Sequence, residues 1–327
     1  MFTLRQWTMM GAAAALALAA CQPAAAPAAP ATQPAAPSQE KPVIRLAENP
    51  WTGSSINVNV AKILLERELG YTVELVTIDE NTQWASLATG DLSATLEVWP
   101  SGHAENVAQY IDGDGTVTRL GELGPVGKIG WFIPTYMLTD HPELATWEGF
   151  KNPDNALLFQ TAESGDAGQF LGGDPSWVQY DDQIITNLGL NLQVVYAGSE
   201  EAILAQLEAA YSRQDPILIY FYRPHSAFAR YDLTNVALPD HTAECYAKAD
   251  AGGVDCDYPT DNLFKVAWSG LQAAAPEAYA LLSAMTYTTD DQVTMIAAVD
   301  TDGKTPEQAA QAWLDANTAT WQGWLGR

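Results

Sequence analysis

The 327-residue chain carries 40 Asp and Glu against 15 Lys and Arg, a formal net charge of −25. That balance excludes a nucleic-acid partner, which needs clustered basic residues for phosphate, and it suits solubility and the steering of cations. Apolar residues make up 47%, with 11 Trp and 13 Tyr, so a large core can form and rings remain for a site.

The chain opens with Arg5 and then an apolar run over residues 9–20. The run is too short to span a membrane as a helix and reads as the core of an export signal over residues 1–20. It ends in Leu18-Ala19-Ala20-Cys21, which resembles a bacterial lipobox. That resemblance implies cleavage before Cys21 and lipid attachment to it. The competing reading is an ordinary signal peptide with Cys21 incidental. Residues 21–42 are mostly Ala and Pro, without hydrophobic periodicity, and are expected to be an extended spacer. The globular body is expected from residue 43 to residue 327.

The body alternates strand and helix signals, which predicts an α/β fold. Strands are expected at 43–46, 72–78 and 94–99, with a helix capped by Ser55 and another over 81–88. Residues 129–133 read as a crossing strand. A second unit follows, with strands at 157–159, 193–196 and 217–222 and helices at 181–188 and 200–211. Thr305-Pro306-Glu307-Gln308 is a helix start with a capping box. Trp313, Trp321 and Trp324 beyond it are expected in packing. With Cys21 lipidated, Cys245 and Cys256 are an even pair in an exported chain and read as a disulfide. A zinc site is the alternative, but His241 stands alone beside them.

Catalytic signatures are missing: there is no Gly-X-Ser-X-Gly elbow, no His-Glu-X-X-His and no phosphate-binding glycine loop, so no cofactor is expected. Asp112-Gly113-Asp114-Gly115 and Asp300-Thr301-Asp302-Gly303 lack the terminal Glu of a calcium loop and read as solvated turns. Aromatic residues at strand ends are the stronger signal, because ligands of parallel α/β sheets bind at the strand carboxyl ends. Trp51, Trp99 and Tyr222 follow predicted strands closely. A quaternary ammonium has no N–H to donate and is held by aromatic faces, at about 0.5–2 kcal/mol each. For any single ring, core packing is the competing reading.

The ordered motifs carry a family resemblance. They are Glu68-Leu69-Gly70-Tyr71, Trp84 through Asp91, Trp99 with His103, Gly130-Trp131-Phe132-Ile133-Pro134, Gly198-Ser199-Glu200, Tyr220-Phe221-Tyr222-Arg223-Pro224-His225 and Cys256-Asp257-Tyr258-Pro259. From about residue 43 to residue 325 the chain resembles glycine betaine/proline-type substrate-binding proteins of ABC transporters. The resemblance implies a two-lobed type II periplasmic binding protein fold joined by two crossing strands. Lobe I is then 43–135 plus 224–327, and lobe II is 136–223. It also implies an extracytoplasmic solute receptor, not an enzyme, that delivers to a permease with its ATPase and touches the membrane through its lipid only.

Carried over by position, the expected ligand residues are Trp84, Trp131, Trp177 and Tyr222 as a cage, with His225 beside Tyr222. The turn of Trp51, Gly53 and Ser54 opens a helix whose amides suit an anion. Where betaine binders often have a second Trp, this chain has Ser226. Glu97 lies two residues before Trp99 on a strand, so both share a face, and it is a candidate partner for a cation. Glycine betaine is the first expected ligand. Choline, carnitine, trimethylamine N-oxide and dimethylsulfoniopropionate follow. Competing classes are a secreted α/β enzyme and an adhesive lipoprotein.

Overall fold

The computed structural model describes residues 40–327, so the signal, Cys21 and most of the expected spacer lie outside the described residues. The body starts as β1 (Ile44–Glu48), α1 (Thr52–Arg67), β2 (Val73–Thr77), α2 (Gln83–Thr89) and β3 (Ala94–Val98). Ile56, Val60, Ile63 and Leu64 bury the expected face of α1. The helix nevertheless begins before Ser55. Trp51 occupies the capping position with an extended backbone, and the Ser54 hydroxyl accepts from the Asn49 amide, which folds the β1–α1 turn tightly and draws Ser55 into the helix.

An 18-residue strand, β4 (Val117–Pro134), follows; the expected crossing strand is its second half. Then come β5 (Gly168–Gly172), α3 (Asp181–Leu188), β6 (Leu192–Tyr196), α4 (Glu200–Arg213), β7 (Ile219–Arg223), β8 (Leu233–Val236) and β9 (Thr260–Trp268). The strand expected at 157–159 is instead a 3-10 turn. Asn152 caps a short helical turn that Pro153 opens, and the chain tightens onward through residue 159 without extending. The true strand, β5, has Gly at both ends and so little β signal. A Cβ on Gly168 would stand 2.0 Å from the Ala156 carbonyl oxygen.

The strand order is β2-β1-β3-β9-β4-β7-β5-β6, with β8 on the far end of β4. The β1, β2 and β3 pairings are parallel, as are those of β5 with β6 and β7, so each half of the sheet is an α/β unit. Strand β4 serves both. Up to Lys128 it pairs with β9, and from Lys128 it pairs with β7. β8 pairs with residues 131–134 of β4, so Leu233–Val236 joins the second half of the sheet. The link between β8 and β9 carries the Cys245–Cys256 disulfide.

Four helices close the chain: α5 (Pro276–Ala284), α6 (Thr289–Asp300), α7 (Pro306–Ala316) and α8 (Thr318–Trp324). The capping box of Thr305 and Gln308 starts α7, and α7 packs on α1. Trp313, Trp321 and Trp324 are buried in the main core. Among the described residues no helix is long and apolar enough to cross a membrane.

Candidate ligand-binding site

A small cavity of about 30 Å³ lies where the two halves of the sheet meet. From the first half, Trp51 arrives just after β1 and Trp99 just after β3, the carboxyl ends of parallel strands. Tyr220 and Tyr222 alternate on β7, so both point to the same face. Trp177 and Tyr180 come from the segment between β5 and α3, and Tyr258 precedes β9.

These seven rings meet edge to face more than they stack. The Trp51–Trp177 centroids are 6.2 Å apart at 87°, Trp99–Tyr222 5.6 Å at 83°, and Trp177–Tyr222 6.2 Å at 84°. Steep angles leave several π-faces turned on one small volume, which is the geometry that holds a methylated cation. Glycines bed two of the tryptophans. A Cβ on Gly127 would lie 2.3 Å from the Trp99 ring, and one on Gly173 2.4 Å from the Trp177 ring.

Among the described residues, Glu80 is the carboxylate of the wall, and neither Lys nor Arg lines the cavity. It sits past the carboxyl end of β2. Its Oε2 meets His103 Nε2 at 2.9 Å, and its Oε1 accepts from the Val178 amide at 2.6 Å, across to the other half. Three backbone amides of lining residues are already engaged. Ser101 N–H donates to Asp261, Gly102 N–H to the Trp99 carbonyl and Val178 N–H to Glu80. The Trp177 indole N–H is buried with no acceptor among the described residues.

Of the residues expected from sequence, the structure brings Trp51, Trp99, Trp177 and Tyr222 to the cavity. It places the others elsewhere. Trp84 is fully buried, stacked on Tyr110 and tilted against His103 in a separate core cluster. Trp131 is also fully buried, packed on Phe170. Ile129, two residues earlier on the same face of β4, lines the cavity, and Trp131 lies one pleat beyond it, inside the second half.

Glu97 is buried behind the wall. It accepts from the indoles of Trp51 at 2.8 Å and Trp99 at 3.0 Å, and from Asn57 and Gln292. A Cβ on Gly53 would lie 3.1 Å from the Glu97 carboxylate, so Gly53 packs there and not on the cavity; Ser54 is bonded to Asn49. The amide of Thr52, at the start of α1, meets the Glu200 carboxylate at 3.3 Å, so the helix N-terminus already has its anion. His225 lies behind Tyr222. Its Nδ1 accepts from the Ala227 amide, and its Nε2 faces Glu200 at 3.3 Å and Asp300 at 3.4 Å. Glu200, His225 and Asp300 have metal-like spacing. Their bonds to Thr52, Tyr222 and Ser226 account for the cluster without an ion.

Sequence reasoning missed Glu80, Ser101, Tyr180, Tyr220 and Tyr258. Two signals were available. Glu80 lies in the turn after a parallel strand, and Tyr220 is one pleat from Tyr222.

The comparisons agree with this architecture. Residues 42–316 match the family model described as the substrate binding domain of ABC-type glycine betaine transport system. The trimethylamine N-oxide-binding protein of Pelagibacter ubique (strain HTCC1062) is 29% identical over 291 residues, covering 86% of this chain and 90% of the relative. Among solved structures, lactococcal OpuAC in its closed form with glycine betaine superposes with a TM-score of 0.69 at 22% identity, covering 86% and 99% of the two chains. An ABC-transporter choline-binding protein with choline superposes at 0.70 and 20% identity, covering 87% and 91%. The chain has the two-lobed type II periplasmic binding protein fold and belongs to the family of substrate-binding domains of ABC-type glycine betaine transport systems.

Proposed function

We propose that this receptor captures a small trimethylated amine that needs no partner for a carboxylate, trimethylamine N-oxide first and choline second. The observation that carries this reading is the wall itself: among the described residues it has seven aromatic side chains, one carboxylate in Glu80 and no Lys or Arg, and its Ser101, Gly102 and Val178 amides are already engaged. A trimethylammonium head meets the rings and Glu80. The free Trp177 indole N–H is a donor for an oxide or hydroxyl oxygen. The relative named for trimethylamine N-oxide supports the same choice. Glycine betaine is the second reading, favoured by the family description.

Calorimetry on the purified protein against trimethylamine N-oxide, choline, carnitine, dimethylsulfoniopropionate and glycine betaine tests the reading. Tightest binding of a carboxylate-free ligand is expected; tightest binding of glycine betaine would reverse the order. Recovery of the ligand unchanged separates a receptor from an enzyme. Delivery to a permease and its ATPase follows from the family, and we place the protein on the outer side of a bacterial membrane, held through Cys21. Replacing Cys21 by Ser is expected to move it from the membrane fraction to the soluble extracytoplasmic fraction; an unlipidated, already soluble wild type would refute the anchor.

A further inference from the structure

Four of the seven cavity rings are tied at their polar edge to carboxylates that do not line the cavity. Trp51 and Trp99 both donate to Glu97, Tyr258 donates to Asp181 at 3.0 Å, and Tyr222 donates to Glu200. All three acids are buried, at 2%, 2% and 1% exposure. Among the described residues, Glu97 and Asp181 have no basic partner. Glu97 is held by Trp51, Trp99, Asn57 and Gln292, all neutral donors. Asp181 is held by Trp131 and Tyr258, and its Oδ2 has no hydrogen-bond partner among the described residues.

A buried carboxylate without a counter-ion is costly, and a neutral amide oxygen could fix a ring edge without that cost. The charge therefore calls for a use. An acceptor anion at the N–H or O–H edge of a ring enriches the π-face on the other side. In a dry interior its own field also reaches further than in water. Both effects favour a positive charge in the cavity.

We propose that Glu97, Asp181 and Glu200 form an anionic layer behind the aromatic wall, and that this layer makes the site prefer a cationic methylated head over a neutral group of the same shape. The three are positioning and specificity residues that act through the rings. The inference rests on the trimethylated-amine reading above.

Burial pushes Glu97 and Asp181 up to about 7, so near neutrality a part of each carries a proton in the empty protein. The titratable groups facing Glu97 are Glu200, Tyr222 and Tyr287. Those facing Asp181 are Asp182, Tyr196, Tyr220, Tyr246 and Tyr258. All are acids or phenols, so an arriving cation is the charge that favours ionisation, and its binding expels protons.

The test compares matched probes on the full chain by calorimetry: choline against dimethylbutanol, and trimethylamine N-oxide against tert-butanol, each pair alike in shape. The wild type is expected to prefer the nitrogen compound. Glu97→Gln and Asp181→Asn are each expected to cut that preference by roughly tenfold, with less change for the carbon analogue. Proton release, read near pH 7 in buffers of different ionisation heat, is expected for choline on the wild type and absent for dimethylbutanol. The wild-type comparison of matched probes needs no variant, so it stands even if a substitution fails to fold. Equal losses for charged and neutral probes, or equal wild-type affinity for choline and dimethylbutanol, would overturn the anionic layer while leaving the receptor intact. A wild type that binds none of the methylated amines would overturn the functional reading and this inference with it.

Discussion

Eleven tryptophans offer the same side chain to very different tasks, and their edges separate those tasks. At the cavity, Trp51 and Trp99 hang from one buried acid and line the cavity wall, whereas Trp84 spends its faces on Tyr110 and His103. Substitution should split them cleanly. Trp99→Ala and Trp177→Ala are expected to weaken binding of the best methylated amine by about 1–3 kcal/mol, roughly tenfold to a hundredfold, with the fold kept. Phe at either place should cost less, because a π-face remains. Trp84→Ala and Trp131→Ala empty core volume instead and are expected to cost about 3–5 kcal/mol of stability. The folded fraction of Trp84→Ala should bind with nearly unchanged affinity, whereas Trp131→Ala also removes a donor to Asp181. Calorimetry paired with chemical denaturation reads both quantities, and a loss of affinity without destabilisation at Trp84 would return it to the cage.

At the scale of elements, the site depends on what strands omit as much as on what they present. Strand β4 passes under Trp99 at Gly127, where a Cβ would meet the ring at 2.3 Å. Gly127→Ala is expected to displace the indole from Glu97 and to weaken binding by at least about tenfold, since the ring must move by more than ordinary packing slack. Melting should fall only modestly, because Gly127 lies where β4 leaves its pairing with β9. Unchanged affinity would show that Trp99 has room to yield. Much of this layout was legible in sequence. The first β-α-β-α-β run, α3, β6, α4 and the Thr305 cap all follow from periodicity and capping, and Trp51, Trp99 and Tyr222 follow from strand ends. The misses have physical causes. Gly at both ends hides β5, and the apolar run at 157–159 has the composition of a strand but sits in a turn opened by Pro153. Trp131 shares a face with a cavity residue yet lies one pleat too far along β4. Lys265, alone among lysines in being fully buried, occupies β9 because its ammonium caps the last carbonyls of α5, including Leu282, a partner no local pattern announces.

For the molecule as a whole, a binding site built on buried acids should show itself in stability even when no ligand is present. Unfolded Glu97 and Asp181 ionise at their ordinary values near 4.5 and 3.8, while burial holds both near 7 in the folded chain. Between those limits the unfolded chain has given up protons that the folded chain keeps. Stability is then full in acid and declines as pH rises toward about 7, by up to roughly 1.4 kcal/mol per pH unit for each carboxyl, and levels off above it. Glu200 is also opposed by burial, but the hydrogen bond and charge of His225 bring it below its ordinary value, so its contribution is lost only in more acid solution. The empty protein is therefore expected to melt at a lower temperature at about pH 8 than at about pH 5.5, by an amount on the order of several kcal/mol in stability. A saturating methylated amine should flatten that slope. It adds stability through mass action, about 2.7 kcal/mol at a hundredfold excess over Kd, and it adds most where the acids are ionised. Glu97→Gln removes one titrating group and should flatten the slope of the empty protein without any ligand. Melting curves of wild type and Glu97→Gln across this range, with and without choline, read all of these terms. A wild-type slope of the opposite sign would mean that the buried carboxyls do not hold their protons, and a slope unchanged in Glu97→Gln would assign the titration to other groups.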